Sequence, residues 1–259
     1  MKWFKGLLML ACFLVAACST TTKMAQKAPV AVSQADQIIK DAIIAHGGPL
    51  YTNAAFSFDF REKQYTFINK ATSFEYIRKE TKDSILIKDV LTNTGFTRSM
   101  DGLPTTLASA DSIKYGNSLN SIIYFALLPY KLDDAAVQRT YKGITVIKQT
   151  DYHTIEITFG KEGGGVDHED VFYYWINTGT NVLDYLAYQY QVNDGGVRFR
   201  QAVQPKIIDG IRFQNYINYK ADKDTPLADL PNLFETGGLD TLSTINLDNI
   251  RGEVVTTEN

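Results

Sequence analysis

The apolar positions of the chain follow two periods, and the first of them is helical. Ile38, Ile39 and Ala42 recur at the spacing of one helix face. Ser33 stands before this run as a candidate N-cap, and Gly47 follows it as a residue type that ends helices. The pattern predicts an N-terminal amphipathic helix that packs one face against a sheet.

From Ala54 onward, apolar and polar positions alternate in short runs, which is typical of strands with one buried face. Five such runs precede Met100. Six further runs cover residues 140–149, 152–160, 168–177, 184–192, 197–205 and 211–220. The links between neighbouring runs are too short for a crossover helix, so we expect neighbouring strands to be antiparallel.

Residues 117–132, NSLNSIIYFALLPYKL, interrupt this alternation with a strongly apolar stretch. Ser118 is a candidate cap at its start, and Pro129 marks its end because proline cannot continue a helix. The stretch predicts a short buried helix that lies in the mouth of the sheet.

A sheet of roughly eleven strands must curl or close, because open sheets beyond about ten strands bend or split. We therefore predict a mainly β fold of the α+β class. Its core is a large curved antiparallel sheet or half-open β-barrel, with the N-terminal helix and the short apolar helix inserted midway. After Pro231 the sequence is poor in apolar residues, and we expect a short tail there.

The first residues have the layout of a secretory signal: Lys2 and Lys5, an apolar run, then small residues before Cys18. The run is shorter than the roughly 20 apolar residues that span a bilayer. Val15, Ala16, Ala17 and Cys18 resemble the bacterial lipobox. The resemblance implies cleavage before Cys18 and lipidation of its thiol, which would attach the protein to a membrane. The alternative is an ordinary secretory signal with an incidental cysteine.

These segments divide the chain into a signal peptide at residues 1–17, a flexible stalk at 18–32 and a single domain at 33–259. Ser19 and Thr20 follow Cys18, where some lipoproteins carry an aspartate that retains them in the inner membrane. We therefore expect the protein to be anchored in the outer membrane and to face the periplasm.

The formal net charge is −3, with no basic cluster, which argues against nucleic acid as a partner. Cys12 and Cys18 are the chain's two cysteines, so no internal disulfide is expected after cleavage.

The overall layout resembles the LolA/LolB-like fold of bacterial lipoprotein carriers and receptors. It shares the lipobox, the stalk, a helix ending in AHGG, a long antiparallel meander and a helix inserted midway. Four segments, NSLNSIIYFALLPYKL, GGGVDHEDVFYYWI, DYLAYQY and GGVRFRQA, are similar to a bacterial lipoprotein family of unknown function. The first resemblance implies an apolar cavity that holds acyl chains.

The aromatic content agrees with such a cavity, because 15 tyrosines and 14 phenylalanines supply apolar walls with polar rims. Phe125 and Tyr174 are our candidate wall residues. Arg198 and Arg200 share one face of a predicted strand, and inward-facing arginines need a carboxylate such as Asp170 or Asp184, or an anionic headgroup. We take both arginines as candidate ligand anchors. A solvent-facing strand surface and ordinary core aromatics are the alternatives.

His168 and Asp170 share a strand face and are the candidate start of a metal site, although a third ligand cannot be named. The alternative is a solvated strand entry after a glycine turn. His46 is expected at a helix end, where a cation meets the negative end of the helix dipole, and His153 is expected at the surface.

The sequence contains no G-x-S-x-G elbow, no P-loop and no cysteine nucleophile after residue 18. The leading hypothesis is a non-enzymatic envelope lipoprotein without a cofactor. It would bind a hydrophobic or lipid-like ligand, in transport or sorting of lipids or lipoproteins. The alternatives are a metal-assisted hydrolase centred on His168 and Asp170, and an envelope scaffold that binds a protein partner.

Overall fold

The computed structural model describes residues 32–160, 170–191 and 194–255. These residues form two seven-stranded antiparallel sheets and three α-helices. The predicted mainly β fold, with antiparallel neighbours and helices before and between the strands, is confirmed. The strands are divided between two sheets, where the sequence predicted one.

The first sheet is a meander of consecutive hairpins. Its strands are β1 (Ala54–Phe60), β2 (Lys63–Lys70), β3 (Ser73–Lys82), β4 (Ile85–Thr92), β5 (Gly95–Met100), β6 (Leu103–Thr105) and β14 (Asp248–Val254), in the order β14-β1-β2-β3-β4-β5-β6. The five strands predicted before Met100 are all present. The turn between β1 and β2 has positive φ at Arg61 and Glu62, as in a two-residue hairpin that matches the strand twist.

The second sheet contains the six strands predicted for the second half and one more. They are β7 (Val137–Ile147), β8 (Thr150–Phe159), β9 (Val171–Asn177), β10 (Leu183–Tyr190), β11 (Gly196–Ile208), β12 (Ile211–Ala221) and β13 (Asp240–Ile245), in the order β13-β12-β11-β10-β9-β8-β7. Alternation within each strand gives the sheet two apolar faces, and each face belongs to a different core cluster.

The tail predicted after Pro231 is wrong, because this segment contains most of helix α3 (Leu230–Thr236) and the strands β13 and β14. The chain passes from the second sheet to the first near Leu247. The backbone N–H of Leu247 donates to Asn215 Oδ1 at 2.9 Å, and Lys206 Nζ donates to the Leu247 carbonyl at 3.2 Å. Backbone pairing with β12 and β1 forms these strands, so few apolar residues are needed.

Helix α1 (Gln34–His46) begins and ends as the sequence predicts. Ser33 Oγ accepts a hydrogen bond from the Asp36 backbone N–H at 3.1 Å, and Gly47 ends the helix with a φ of 138°. The predicted cationic role of His46 is wrong. Its ring is fully buried, and burial, with a smaller effect of Arg212, lowers its pKa to about 3.

Helix α2 (Ser109–Ala126) is the predicted midway helix, but it begins at Ser109 and Ser118 lies inside it. Its first half is polar and therefore shows no clear apolar period. In its second half, Leu119 and Ile123 belong to the core of the first sheet, whereas Phe125 packs against the core of the second. Helix α2 therefore contributes to both cores. In the ranges that the structure describes, no helix is long and apolar enough to span a bilayer.

Candidate functional site

Two cavities lie beside helix α2, and the ring of Phe125 lines both of them. The larger, which we call the arginine cavity, has a volume of about 230 Å³. It is lined by Phe60, Arg61, Ile122, Phe125, Tyr188, Arg200, Asn218, Ile245 and Leu247. The smaller has a volume of about 110 Å³ and includes Tyr124, Phe159 and Phe172 in its wall. The predicted wall residue Phe125 thus lines both cavities.

Arg200 lies on β11 and reaches the cavity from the second sheet. Strand pairing places it directly opposite Leu186 on β10 and Asn218 on β12. Its guanidinium carbon lies 4.2 Å from the centroid of the Phe125 ring, and its Nη2 donates to Tyr188 Oη at 2.8 Å. Arg200 is only 8% exposed, so its charge is held away from bulk water.

The hydrogen-bonding capacity of Arg200 is only partly used. Its Nε is buried without a hydrogen-bond partner. Its guanidinium forms no ion pair among the described residues. Asp184 is one of the two carboxylates that the sequence offered as partners, and it accepts a hydrogen bond from Tyr152 Oη at 3.2 Å instead. The other, Asp170, is buried and has an interaction partner of its own.

Arg198 shares the face of Arg200, as predicted, but has a different environment. Its Nη2 donates to Tyr190 Oη at 2.6 Å and its Nη1 donates to the Val197 carbonyl at 2.9 Å. It lines neither cavity beside α2. The structure therefore separates the two candidate anchors: Arg200 faces the arginine cavity, and Arg198 is engaged by neighbouring protein groups.

Tyr174 is a core residue that lines neither of the two cavities. It is fully buried, and burial raises the pKa of its phenol well above the ordinary value, with neighbouring Tyr124 and Tyr216 acting in the same direction. Tyr216 Oη in turn accepts from Gln214 Nε2 at 2.9 Å. Tyr174 thus belongs to a buried tyrosine group on the same face of the second sheet as Arg200, because both residues lie directly opposite Leu186 in the strand register.

Two polar cavity residues were missed by the sequence analysis. Arg61 is exposed in the turn between β1 and β2, with its guanidinium 5.0 Å from the Phe60 ring centroid. Asn218 is 7% exposed, and its Oδ1 has no hydrogen-bond partner, while Nδ2 donates to Ser243 Oγ at 3.4 Å. In the sequence, Arg61 has the position of an ordinary turn residue and Asn218 that of a polar residue in an alternating strand. No sequence pattern therefore identifies either residue as part of a cavity.

The other candidate sites lie wholly or partly outside the described residues. Cys18 and His168 lie outside the described residues, so lipidation of Cys18 and a metal site at His168 stay predictions. Asp170 is described and mostly buried just before β9. Within the described ranges, no group of three or more His, Cys, Asp or Glu side chains has an arrangement able to hold a metal ion. His153, predicted at the surface, is half-buried, with Nδ1 at 3.5 Å from Tyr141 Oη.

Solved structures similar to this chain come from several bacteria. A LolA superfamily protein from Nitrosomonas europaea is 12% identical over 73% of this chain and 87% of its own, with a TM-score of 0.45. A DUF1329 family protein from Desulfovibrio piger is 12% identical over 86% of this chain and 95% of its own, with a TM-score of 0.41. Lipoprotein LppX of Mycobacterium tuberculosis is 12% identical over 61% of this chain and 88% of its own, with a TM-score of 0.25.

These likenesses are too distant to carry an argument about function, which therefore rests on the residues of this chain. No curated protein matches the sequence. The predicted resemblance to a family of unknown function is confirmed at the level of sequence. A family model described as a family of unknown function, DUF6503, matches residues 5–247, so the chain belongs to the DUF6503 family.

Proposed function

We propose that the domain at residues 33–259 binds a hydrophobic or lipid-like ligand in the arginine cavity. In this proposal Cys18 is lipidated and the stalk at 18–32 tethers the domain to the outer membrane, facing the periplasm. The protein would then act in the transport or sorting of lipids or lipoproteins.

The observation that supports this proposal is the apolar wall of the arginine cavity. Five apolar side chains from four parts of the fold line it: Phe60, Ile122, Phe125, Ile245 and Leu247. Each methylene of a ligand moved from water into such an environment contributes about 0.8 kcal/mol. A ligand with an apolar part therefore gains most from this site.

The size of the site fits a ligand portion rather than a whole lipid. Small-molecule sites usually measure about 300–1,000 Å³, and the arginine cavity alone, at about 230 Å³, is smaller. Phe125 also lines the second cavity of about 110 Å³. A change in the rotamer of Phe125 would therefore alter the space available in both cavities.

Filling the cavity is expected to abolish most of the binding. Ile122→Trp places an indole in the arginine cavity and should weaken binding of the neutral fluorescent probe aminoanthracene by about ten-fold, equivalent to about 1.4 kcal/mol. The chain from residue 19, purified without detergent, is titrated by fluorescence.

Ile113→Trp is the matched control, because Ile113 lies on the same helix but is 58% exposed. It should bind the probe like the unmodified chain. Failure of the unmodified chain to bind, or equal binding by the Ile122→Trp variant, contradicts the proposed function.

Lipid attachment is expected to depend on one thiol. Cys18→Ser should abolish incorporation of labelled palmitate and release the protein from the membrane fraction, because stable anchoring requires the acyl chains. Cys12→Ser is the control, since Cys12 lies within the predicted signal peptide and should leave labelling unchanged. Persistent labelling of the Cys18→Ser protein contradicts the assignment.

The two alternatives stay predictions. A metal-assisted hydrolase would need His168, which lies outside the described residues, and a third ligand. A protein-binding scaffold would need a partner that no residue of this chain identifies.

A further inference from the structure

We propose that the arginine cavity selects amphiphiles with an anionic headgroup, a carboxylate or a phosphate, and that Arg200 binds this headgroup. The inference rests on the proposed function and adds the charge class of the ligand. Its experiment is arranged so that either idea can fail separately.

The buried arginines of this protein provide the first argument. Arg78 and Arg98 are 5% and 8% exposed, and both form ion pairs with Asp89. Arg200 is 8% exposed but forms no ion pair among the described residues. A buried charge is costly unless it is paired and hydrogen-bonded. Arg200 lines a cavity, and an anion bound there would supply the missing partner.

The available donors provide the second argument. Arg200 uses Nη2 to donate to Tyr188 Oη, which leaves the buried Nε–H without an acceptor. Because Tyr188 accepts this bond, its own hydroxyl hydrogen remains available to a ligand. A carboxylate or phosphate has several acceptor oxygens and can accept from both groups, and hydrogen bonds from a guanidinium to such anions are among the strong ones.

Asn218 extends the same site from the neighbouring strand. It lies directly opposite Arg200 in the strand register, and its Oδ1 is buried without a partner. If the amide rotates by half a turn, Nδ2–H replaces Oδ1 and the oxygen accepts from the Ser243 hydroxyl. Asn218 can therefore donate to an anion without losing its contact with Ser243.

The charges around the cavity agree with an anionic ligand. Its lining contains two arginines, Arg61 and Arg200, and no aspartate or glutamate among the described residues. The whole chain has the opposite balance, with 29 acidic and 26 basic residues. Arg61 is exposed, and a cation placed there attracts anions from solution.

The test compares ligands with one chain length and different headgroups. Dodecanoate, dodecyl phosphate and the neutral dodecanol are titrated calorimetrically, below their micelle concentrations, into the chain from residue 18 with Cys18→Ser. We expect at least one anion to bind about ten-fold more tightly than dodecanol. The anion that binds more tightly distinguishes a carboxylate headgroup from a phosphate.

Substitution of Arg200 should remove the preference and retain the apolar binding. Arg200→Gln should weaken binding of the preferred anion by about ten-fold and change dodecanol affinity by less than about two-fold. Arg200→Lys keeps the charge and should keep the preference for the anion. Arg198→Gln is the matched control, because Arg198 lies on the same face but outside the cavity lining, and it should bind like the unmodified chain.

The outcomes separate the two proposals. Equal affinity of the unmodified chain for dodecanol and both anions, or an equal loss for all ligands in a folded Arg200→Gln variant, overturns the charge selection and leaves the proposed function standing. Absence of binding by all three ligands overturns both. Circular dichroism melting shows whether each variant is folded. If the Arg200→Gln variant is not folded, the headgroup preference of the Arg200→Lys variant provides a second test.

Discussion

Replacing Asp89 by Asn is expected to lower the free energy of unfolding by about 3–5 kcal/mol, because the substitution leaves two buried guanidinium groups without their carboxylate. The three residues face one another across β3, β4 and β5, in the register Arg78 to Asp89 to Arg98. Asp89 is 1% exposed. Its Oδ2 accepts from Arg78 Nη2 at 2.5 Å and its Oδ1 accepts from Arg98 Nε at 2.6 Å.

The measurement is urea unfolding at neutral pH, with Asp240→Asn as the matched control. Asp240 pairs with Lys220 at 3.5 Å, but its side chain is 77% exposed, so its loss should cost about 1 kcal/mol or less. A triple variant, Arg78→Met, Asp89→Leu and Arg98→Met, should regain part of the lost stability, because an apolar cluster leaves no charge unpaired. Equal costs for Asp89→Asn and Asp240→Asn contradict the argument.

The Asp89 cluster also contacts helix α2. Arg78 Nη1 donates to Ser118 Oγ at 3.2 Å, and the Arg98 guanidinium lies 3.8 Å from the centroid of the Tyr115 ring. The middle of α2, at Tyr115 and Ser118, is thus attached to the first sheet by cation–π and polar contacts. The second half carries the cavity residues Ile122 and Phe125. Asp89→Asn should therefore also increase amide hydrogen exchange in the middle of α2.

Local features of the fold were predictable from the sequence because local chemistry determines them. The cap at Ser33, the stop at Gly47 and the alternation of each long strand depend on residues within a few positions of one another. Helix α2 was predicted too short because its first half is mostly polar and contacts the sheet through Tyr115. Such contacts leave no apolar period to recognise.

Features that depend on distant partners could not be predicted. Strands β13 and β14 pair with β12 and β1, and most of their side chains are exposed, so their sequence resembles a polar tail. The division of the strands between two sheets likewise depends on the passage of the chain near Leu247. Alternation reports which residues share a face, but it does not report which strands become neighbours.

The candidate site was predictable in part for the same reason. The shared face of Arg198 and Arg200 follows from the strand period, and the apolar stretch around Phe125 follows from composition. The different environments of the two arginines follow from Tyr188 and Tyr190, each of which accepts from one of them. The approach of Arg61 and Asn218 to the same cavity depends on tertiary structure, which no spacing in the sequence encodes.

Acidification is expected to destabilise the protein through His46. Its Nε2 accepts a hydrogen bond from the Leu183 backbone N–H at 3.1 Å, and this requires a neutral ring. Burial lowers the pKa of His46 from 6.5 to about 3 in the folded protein. Between about pH 3 and pH 6.5 the unfolded chain therefore binds up to one more proton at this residue than the folded chain.

The resulting slope has a definite sign and range. Stability from His46 is fully present above about pH 6.5 and falls by about 1.4 kcal/mol for each pH unit as the pH decreases toward about 3. Across that window the loss approaches about 5 kcal/mol, comparable to the free energy of unfolding of many domains. Urea unfolding at several pH values between 4 and 8, roughly spanning this window, measures the slope.

His46→Gln separates this effect from the titration of carboxylates. The glutamine Oε1 can accept from Leu183 N–H at the position of Nε2, but it does not titrate. The difference in stability between the two proteins should therefore change by about 1.4 kcal/mol per pH unit below about pH 6.5 and remain constant above it. Because Leu183 begins β10, which carries Tyr188 in the wall of the arginine cavity, protonation of His46 would also disturb the site. A pH-independent difference between the two proteins shows that the ring is not held neutral by burial.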